Sequence, residues 1–289
     1  CAKWDGPRIK ESWLKDGLIE NKGGKTTIKE GLNSLLSRPN IVSKESWVRR
    51  YDHEVQAATH IKPFGGETAS GPNDSGVIWL YPHGGEKDAA AVIGCGLNPF
   101  LSQYDPYLMA QFSVDEAIRN IVATGGDIDN CCLLDNFCWP DPVKTAKNPD
   151  GDYKLGQLVR TCYGLYDICL SYGTPLVSGK DSMKNDFRGK NKNGEDLAIS
   201  ILPTLLVTAM AKGKMGKTCT SDFKNSGDAI YVLGEKSTGL LGSEWSKNNT
   251  IPDEYSHLPS IEIEKNKDLY RKIYGAHQKR ILQSVHDVS

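Results

Sequence analysis

The chain has 289 residues, enough for one large domain or two ordinary ones around a buried core. Its 35 basic and 36 acidic residues leave a formal charge of -1, which removes any global electrostatic case for nucleic-acid or membrane-surface partners; a polyanion would have to be bound locally. No apolar run approaches the ~20 residues of a membrane span, and the opening CAKWDGPRIK lacks a signal peptide's apolar core, so a soluble, cytoplasmic protein is expected.

Residues 1–50 are polar, with short helices predicted over 27–37 and 43–51, broken at Arg38-Pro39, and they look like an arm or connector. GGKTT at 23–27 is not a phosphate loop: the Walker pattern needs a glycine where Ile19 stands, and no apolar strand precedes it. YDHEVQ at 51–56 gathers two carboxylates and a histidine, with Lys62 close behind, and reads either as a hydrogen-bonded turn or as part of a site. A β pattern begins with VIWLY (77–81) and AAVIGCG (90–96). GPNDSGV (71–77) leads into it as a glycine-rich turn in which Asp74 is a turn residue or a metal ligand.

Next comes SVDEAIRN, 113–120. Val114, Ala117, Ile118, Ile121 and Val122 keep the 3.6-residue apolar period of a helix that Gly125-Gly126 ends. Glu116 and Asn120 share a second face one turn apart. Either Ser113 and Glu116 form a capping box with Asn120 solvated, or the two side chains offer oxygens to a cation.

CCLLDNF (131–137) reads as a strand, and NPDGDY (148–153) as a turn, because the other ligands of a calcium loop are missing. A long amphipathic helix follows, with Leu155, Leu158, Val159, Cys162, Leu165 and Cys169 on its apolar stripe, stopping at YGTP (172–175). LVSG (176–179) and ISILPTLLVTAMA (199–211) are the next strands. LVSGKDSM runs from a strand into small residues, a lysine, an aspartate and a serine, a loop type suited to phosphate. Residues 212–217 read as a linker, AIYVLG (229–234) as a new strand, and 261–284 as one charged helix. The eight cysteines lack C-x-x-C spacing and neighbouring histidines, so reduced thiols without zinc or nucleophilic roles are expected. The alternation predicts a layered domain over 51–212. One strand, one loop and one helix cannot close a second core, so 213–289 is expected to be a truncated second domain.

Taken in order, YDHEVQ, GPNDSGV, DPYLMAQFSVDEAIRNIVATGGD, LLDNFCW, YGTPLVSGKDSM, ILPTLLVTA, GDAIYVLG and HDVS resemble the second half of the phosphoribosylformylglycinamidine synthases, ATP-dependent enzymes of the aminoimidazole ribonucleotide synthetase superfamily. The resemblance implies an α+β fold: a layered mixed sheet with helices (a synthetase N-type domain, 51–212), then the start of an α/β C-type domain (213–289). It implies a pseudo-dimer of two such units with nucleotide sites between them. Asp74, Glu116, Asn120 and Asp287 match the positions that ligate magnesium around ATP or ADP, with Asn73 and Ser289 near the nucleotide. Gly179 and Ser182, with Asp135, match residues that complete the productive site of the first unit. Lys180 stands where some relatives have a metal-binding asparagine; an ammonium cannot ligate a cation, so Lys180 is expected to meet phosphate.

The family's E-S-H-N-H-P signature aligns with GCGLNPF (94–100), which has neither the glutamate nor the histidine, so this half is expected to hold no catalytic residue of its own. The implied reaction converts formylglycinamide ribonucleotide, ATP and glutamine-derived ammonia to the amidine. The implied partners are the first synthetase half, a glutaminase domain or subunit and the ribonucleotide, with no nucleic acid and no membrane. The alternatives are another ATP-dependent superfamily member, against which YDHEVQ and LDNFCW count, and a structural nucleotide-binding module.

Overall fold

The computed structural model describes residues 1–8, 27–235, 237–247 and 251–289. Most of GGKTT and Ile19 lie outside the described residues. Helix α1 (Ile28–Leu36) starts at a capping box in which Thr27 and Glu30 satisfy each other's backbone N–H groups, and α2 (Glu45–Val48) is a single turn. Three short strands follow, β1 (Thr59–Ile61), β2 (Phe64–Gly65) and β3 (Gly71–Pro72), then β4 (Ser75–Trp79) and β5 (Ala89–Leu97). Helix α3 (Pro106–Thr124) leads to β6 (Cys131–Cys138), and α4 (Gly151–Tyr172) to β7 (Leu176–Ser182). The hairpin β8 (Phe187–Lys190) and β9 (Asp196–Ile199) precedes the long β10 (Thr204–Lys214), and α5 (Ile263–Gln278) comes last.

Six strands form one mixed sheet in the order β1-β4-β5-β10-β6-β7. All neighbours are antiparallel except β6 and β7, which are parallel, as a connection through an intervening helix requires. Burial alternates along β5 and β10, so one face carries Val92, Leu205, Val207 and Ala209 into the core. Met109, Val114, Ile118 and Ile121 of α3 fill that core from the other side. Among the described residues no helix covers the opposite sheet face, and Leu97 and Met210 are exposed there. α4 and α5 pack on α3, and Tyr270 of α5 joins the same core. The expected α+β layered architecture is therefore present, and among the described residues no helix is long and apolar enough to cross a membrane.

Four local expectations are corrected. Helix α3 starts at Pro106, not Ser113: Asp105 caps it by accepting the Tyr107 N–H at 2.9 Å, with a proline at the first helical position. Ser113 is mid-helix and donates to the Met109 carbonyl at 2.9 Å, so the Ser113–Glu116 capping box does not form. Strand β10 runs on to Lys214, because its ladder with β5 continues to the Lys214–Ala89 pair, so half of the expected linker is strand. On α4, Cys162 is exposed with Tyr163 and Tyr166, while Gly156, Gln157, Thr161, Gly164 and Ile168 are buried. The helix turns its small residues inward because backbone must pass there: a Cβ on Gly164 would lie 2.3 Å from the Tyr107 carbonyl oxygen. Residues 229–234 form no strand; Ile230, Tyr231 and Val232 are exposed, and no strand among the described residues pairs with them.

His277 of α5 is 3 % exposed, and burial holds its pKa below the ordinary histidine value. The folded chain therefore binds that proton less readily than the unfolded chain. The corresponding stability is complete above the unfolded value of ~6.5 and is lost as the pH falls from there through the lower folded value. From about pH 7.5 to about pH 5.5 the melting temperature, read by circular dichroism, is expected to fall, and to fall less in His277→Gln. Equal slopes in the two proteins would refute this.

Candidate functional site

The site grows from two glycines on β5. A Cβ on Gly96 would sit 2.0 Å from the Ser113 carbonyl oxygen and 2.6 Å from the Ala117 nitrogen; one on Gly94 would meet Ser75 Oγ at 2.6 Å and Asn120 Cβ at 3.1 Å. Only glycine lets α3 lie this close to the strand. The contact carries Glu116 and Asn120 onto the backbone of β5: Leu97 N–H donates to Glu116 Oε2 at 2.7 Å, and Asn120 Nδ2 donates to the Cys95 carbonyl at 2.8 Å. That leaves Asn120 Oδ1 and Ser75 Oγ buried without a hydrogen-bond partner among the described residues.

Asp74, just before β4, faces the same place. Its Oδ2 accepts the Asp287 backbone N–H at 3.0 Å, and its Oδ1 is 2.7 Å from His286 Nδ1. Ligand-type atoms of Asp74, His286 and Asp287 lie within 4.8 Å of one another. Ser289 Oγ donates to Asp287 Oδ2 at 2.5 Å and reaches Glu116 Oε1 at 3.4 Å. Asp74, Glu116, Asn120, Asp287 and Ser289, four of them expected as metal ligands, thus come from three separate segments.

The electrostatics fit a cation. Burial pushes the Asp74 carboxyl above the ordinary carboxylate range, opposed by His286, and does the same at Glu116, opposed by the Leu97 N–H. Three carboxylates and an orphaned amide oxygen form a hard, oxygen-rich donor set of the kind magnesium takes together with phosphate oxygens. Several neighbours escaped the sequence reading. Arg119 and buried Asp115, paired at 2.6 Å, lie four residues apart on α3; opposite charges at that spacing in an apolar helix were the available signal.

The remaining expected residues lie elsewhere. Asn73 Nδ2 donates to the Lys62 carbonyl at 2.9 Å, and its Oδ1 accepts the Ser221 N–H at 3.3 Å, so its side chain braces two loops. Asp135 and Gly179 are paired across β6 and β7, and Asp135 is raised by burial. Lys180 and Ser182 follow along the same exposed strand. Two strand spacings, roughly 10 Å, separate β5, on which Glu116 and Asn120 rest, from β6 with Asp135, and one more, roughly 14 Å in all, reaches Gly179, Lys180 and Ser182 on β7.

YDHEVQ is internally satisfied: Glu54 pairs with Lys62, Asp52 accepts the Glu54 N–H at 2.7 Å, and His53 Nε2 lies 3.0 Å from the Val48 carbonyl. NPDGDY is the turn into α4. All eight cysteines are free. Burial pushes Cys131 up to about 12 and Cys169 and Cys219 up to about 11, which suits inert thiols.

Residues 72–202 match the family model described as AIR synthase related protein, N-terminal domain. The phosphoribosylformylglycinamidine synthase subunit PurL of Anaeromyxobacter sp. (strain Fw109-5) is 33% identical over 258 residues, covering 88% of this chain and 30% of that protein. The same subunit of Thermococcus sibiricus is 32% identical over 264 residues, covering 91% and 32%. The chain thus spans about a third of the length of these relatives. Among solved structures, PurLQS from Thermotoga maritima aligns with a TM-score of 0.50 at 19% identity, over 82% of this chain and 30% of that one. T. maritima PurL complexed with AMPPCP gives 0.50 at 18%, over 90% and 34%. At these identities the two structures speak for the fold.

The glycine seat predicts a sharp asymmetry along β5. Gly96→Ala forces α3 off the strand and is expected to cost about 3 kcal/mol or more in urea unfolding, whereas Cys95→Ala, pointing to the open face, is expected to cost less than about 1 kcal/mol. Similar costs for the two would show that α3 can shift without penalty.

Proposed function

We propose that this chain, a member of the AIR synthase related family and a homologue of the PurL subunit of phosphoribosylformylglycinamidine synthase, is the half of such a synthetase that holds a magnesium-bound adenine nucleotide and completes the active site of the other half. The observation that carries this reading is that Asp74 and Asp287 lie together, that Ser289 Oγ links Asp287 to Glu116, and that Asn120, one turn further along the same helix, keeps a buried amide oxygen unpaired among the described residues. Asp74, Glu116, Asn120 and Asp287 would hold the metal, with Ser289 beside the nucleotide. When bound, magnesium supplies positive charge to the nucleotide's phosphate oxygens. Asn73 shapes the rim through the loop it braces.

The organisation that goes with this reading is a connector over 1–50, an N-type domain over 51–212 and the start of a C-type domain over 213–289. The open sheet face, with Leu97 and Met210 exposed, receives the first synthetase half. The group of Asp135, Gly179, Lys180 and Ser182, two to three strand spacings or roughly 10–14 Å from β5, then serves formylglycinamide ribonucleotide or transferred phosphate in that half's site. A glutaminase domain or subunit supplies ammonia. Gly94, Cys95, Gly96, Leu97 and Asn98 offer no general base, so this half binds nucleotide and leaves amidine formation to the other.

Equilibrium titration of the chain with ADP, with and without Mg2+, tests the reading. The Glu116→Ala, Asn120→Ala double variant is expected to lose magnesium-dependent affinity by roughly tenfold or more. Unchanged affinity in a folded double variant would overturn it. With ATP, ammonia and formylglycinamide ribonucleotide the chain alone is expected to form no amidine; turnover abolished by Asp74→Asn would place the chemistry here instead.

A further inference from the structure

Arg119 has three nitrogens committed to three different side chains. Nη1 donates to Asp115 Oδ2 at 2.6 Å, Nε to Asp287 Oδ2 at 3.1 Å, and Nη2 to Ser289 Oγ at 3.2 Å. Asp115, 2 % exposed, also accepts hydrogen bonds from the hydroxyls of Tyr172 and Tyr270 and from Asn266 Nδ2. Burial by itself would lower the Arg119 pKa, but the charges of Asp115 and Asp287 and the nearby Tyr270 outweigh it, so the guanidinium stays charged.

A helix-stabilising pair at i,i+4 would need only the contact to Asp115. Here the other two nitrogens leave the helix and grip the H-D-V-S segment. Among the described residues both hydrogen bonds to the Asp287 carboxylate, from Arg119 and from Ser289, fall on Oδ2, while its backbone N–H holds Asp74. The planar fork thus fixes which carboxylate oxygen is spent on the protein and which remains for a ligand. A lysine, a point charge on a flexible stem, cannot do this to two partners at once.

We propose that Arg119 is a positioning residue for the cation site, orienting Asp287 and Ser289 and anchoring them through Asp115 to the junction of α3, α4 and α5. The inference rests on the cation reading above and adds to it the residue that sets the site's geometry. Second-layer partners of this kind typically govern metal affinity without touching the metal.

Mn2+ titration of the whole chain, followed by electron paramagnetic resonance of the free ion, reads the metal alone. Arg119→Ala is expected to weaken Mn2+ binding roughly tenfold or more, and Arg119→Lys by less. The deciding comparison is made in the Asp287→Ala background, where Arg119→Ala is expected to add less than about twofold, because the residue it orients is gone. Equal losses in both backgrounds would mean that Arg119 acts on the fold at large and would overturn the inference. Should Arg119→Ala fail to fold by circular dichroism, undiminished affinity in Arg119→Lys would overturn it as well. An unsubstituted chain that binds no Mn2+ would remove the cation site itself and this inference with it; a chain that binds Mn2+ equally with and without the Arg119 substitutions removes the inference alone.

Discussion

The buried carboxylate of Asp115 is the point on which the helical layer turns. It accepts hydrogen bonds from Arg119 on its own helix, from Tyr172 at the end of α4, and from Asn266 and Tyr270 on α5. Such a group costs several kcal/mol to desolvate and is tolerated only when every lone pair finds a donor. The three helices therefore have one relative placement in which the carboxylate is satisfied. Burial beside Asp115 also raises the pKa values of Tyr172 and Tyr270, so both phenols keep the protons they donate. Apolar packing alone would leave α5 free to slide along α3; the directional donors remove that freedom.

A second constraint acts between helix and sheet. Gly94 and Gly96 remove two side chains from a central strand, a loss of packing that a purely structural strand would avoid. The compensation is placement: polar groups of α3 reach the β5 backbone, and two of the resulting atoms, Asn120 Oδ1 and Ser75 Oγ, stay unpaired. Unpaired buried oxygens and carboxyls shifted upward by burial are unfavourable for the chain alone, and two of each, Ser75 Oγ and Asn120 Oδ1 with Asp74 and Glu116, meet at this seat, while others such as Thr174, Thr218 and Asp135 lie elsewhere. The site is thus a place of local cost set between a sheet and a helix layer whose apolar residues follow simple burial rules.

Much of this was legible in the residues. The apolar periods of β4, β5, β6, α3 and α4 located those elements, and the pairing of Glu116 with Asn120 marked the face of α3 that rests on the β5 backbone. What failed did so for identifiable reasons. The Asp105-Pro106 cap was overshadowed by the Ser113–Glu116 spacing, although a proline at the first helical turn was the better signal. On α4 the expected stripe held at Leu158, Leu165 and Cys169 and missed at Val159 and Cys162, because close approach to backbone centres the buried face on Gly156 and Gly164, which no scan for large apolar residues would rank. Residues 229–234 have a strand's composition, but a strand is a relation between two segments and composition describes only one. The joining of Asp74 to His286 and Asp287 spans more than two hundred positions, so local pattern carried no trace of it; only the resemblance did.

Strand β7 is the outermost strand of the six-stranded sheet, and six of its seven residues are exposed. Among the described residues no strand pairs with its outer edge, which begins with Leu176 and Val177 and presents a backbone ladder of the type that recruits foreign strands into intermolecular aggregates. Lys180 and Asp181 set adjacent opposite charges along that edge, and charges on an edge strand discourage such pairing. Lys180, proposed above to meet ligand, therefore also acts with Asp181 as a gatekeeper, and neutralising both would make the chain more prone to fibrillar self-association without altering a single contact in its core.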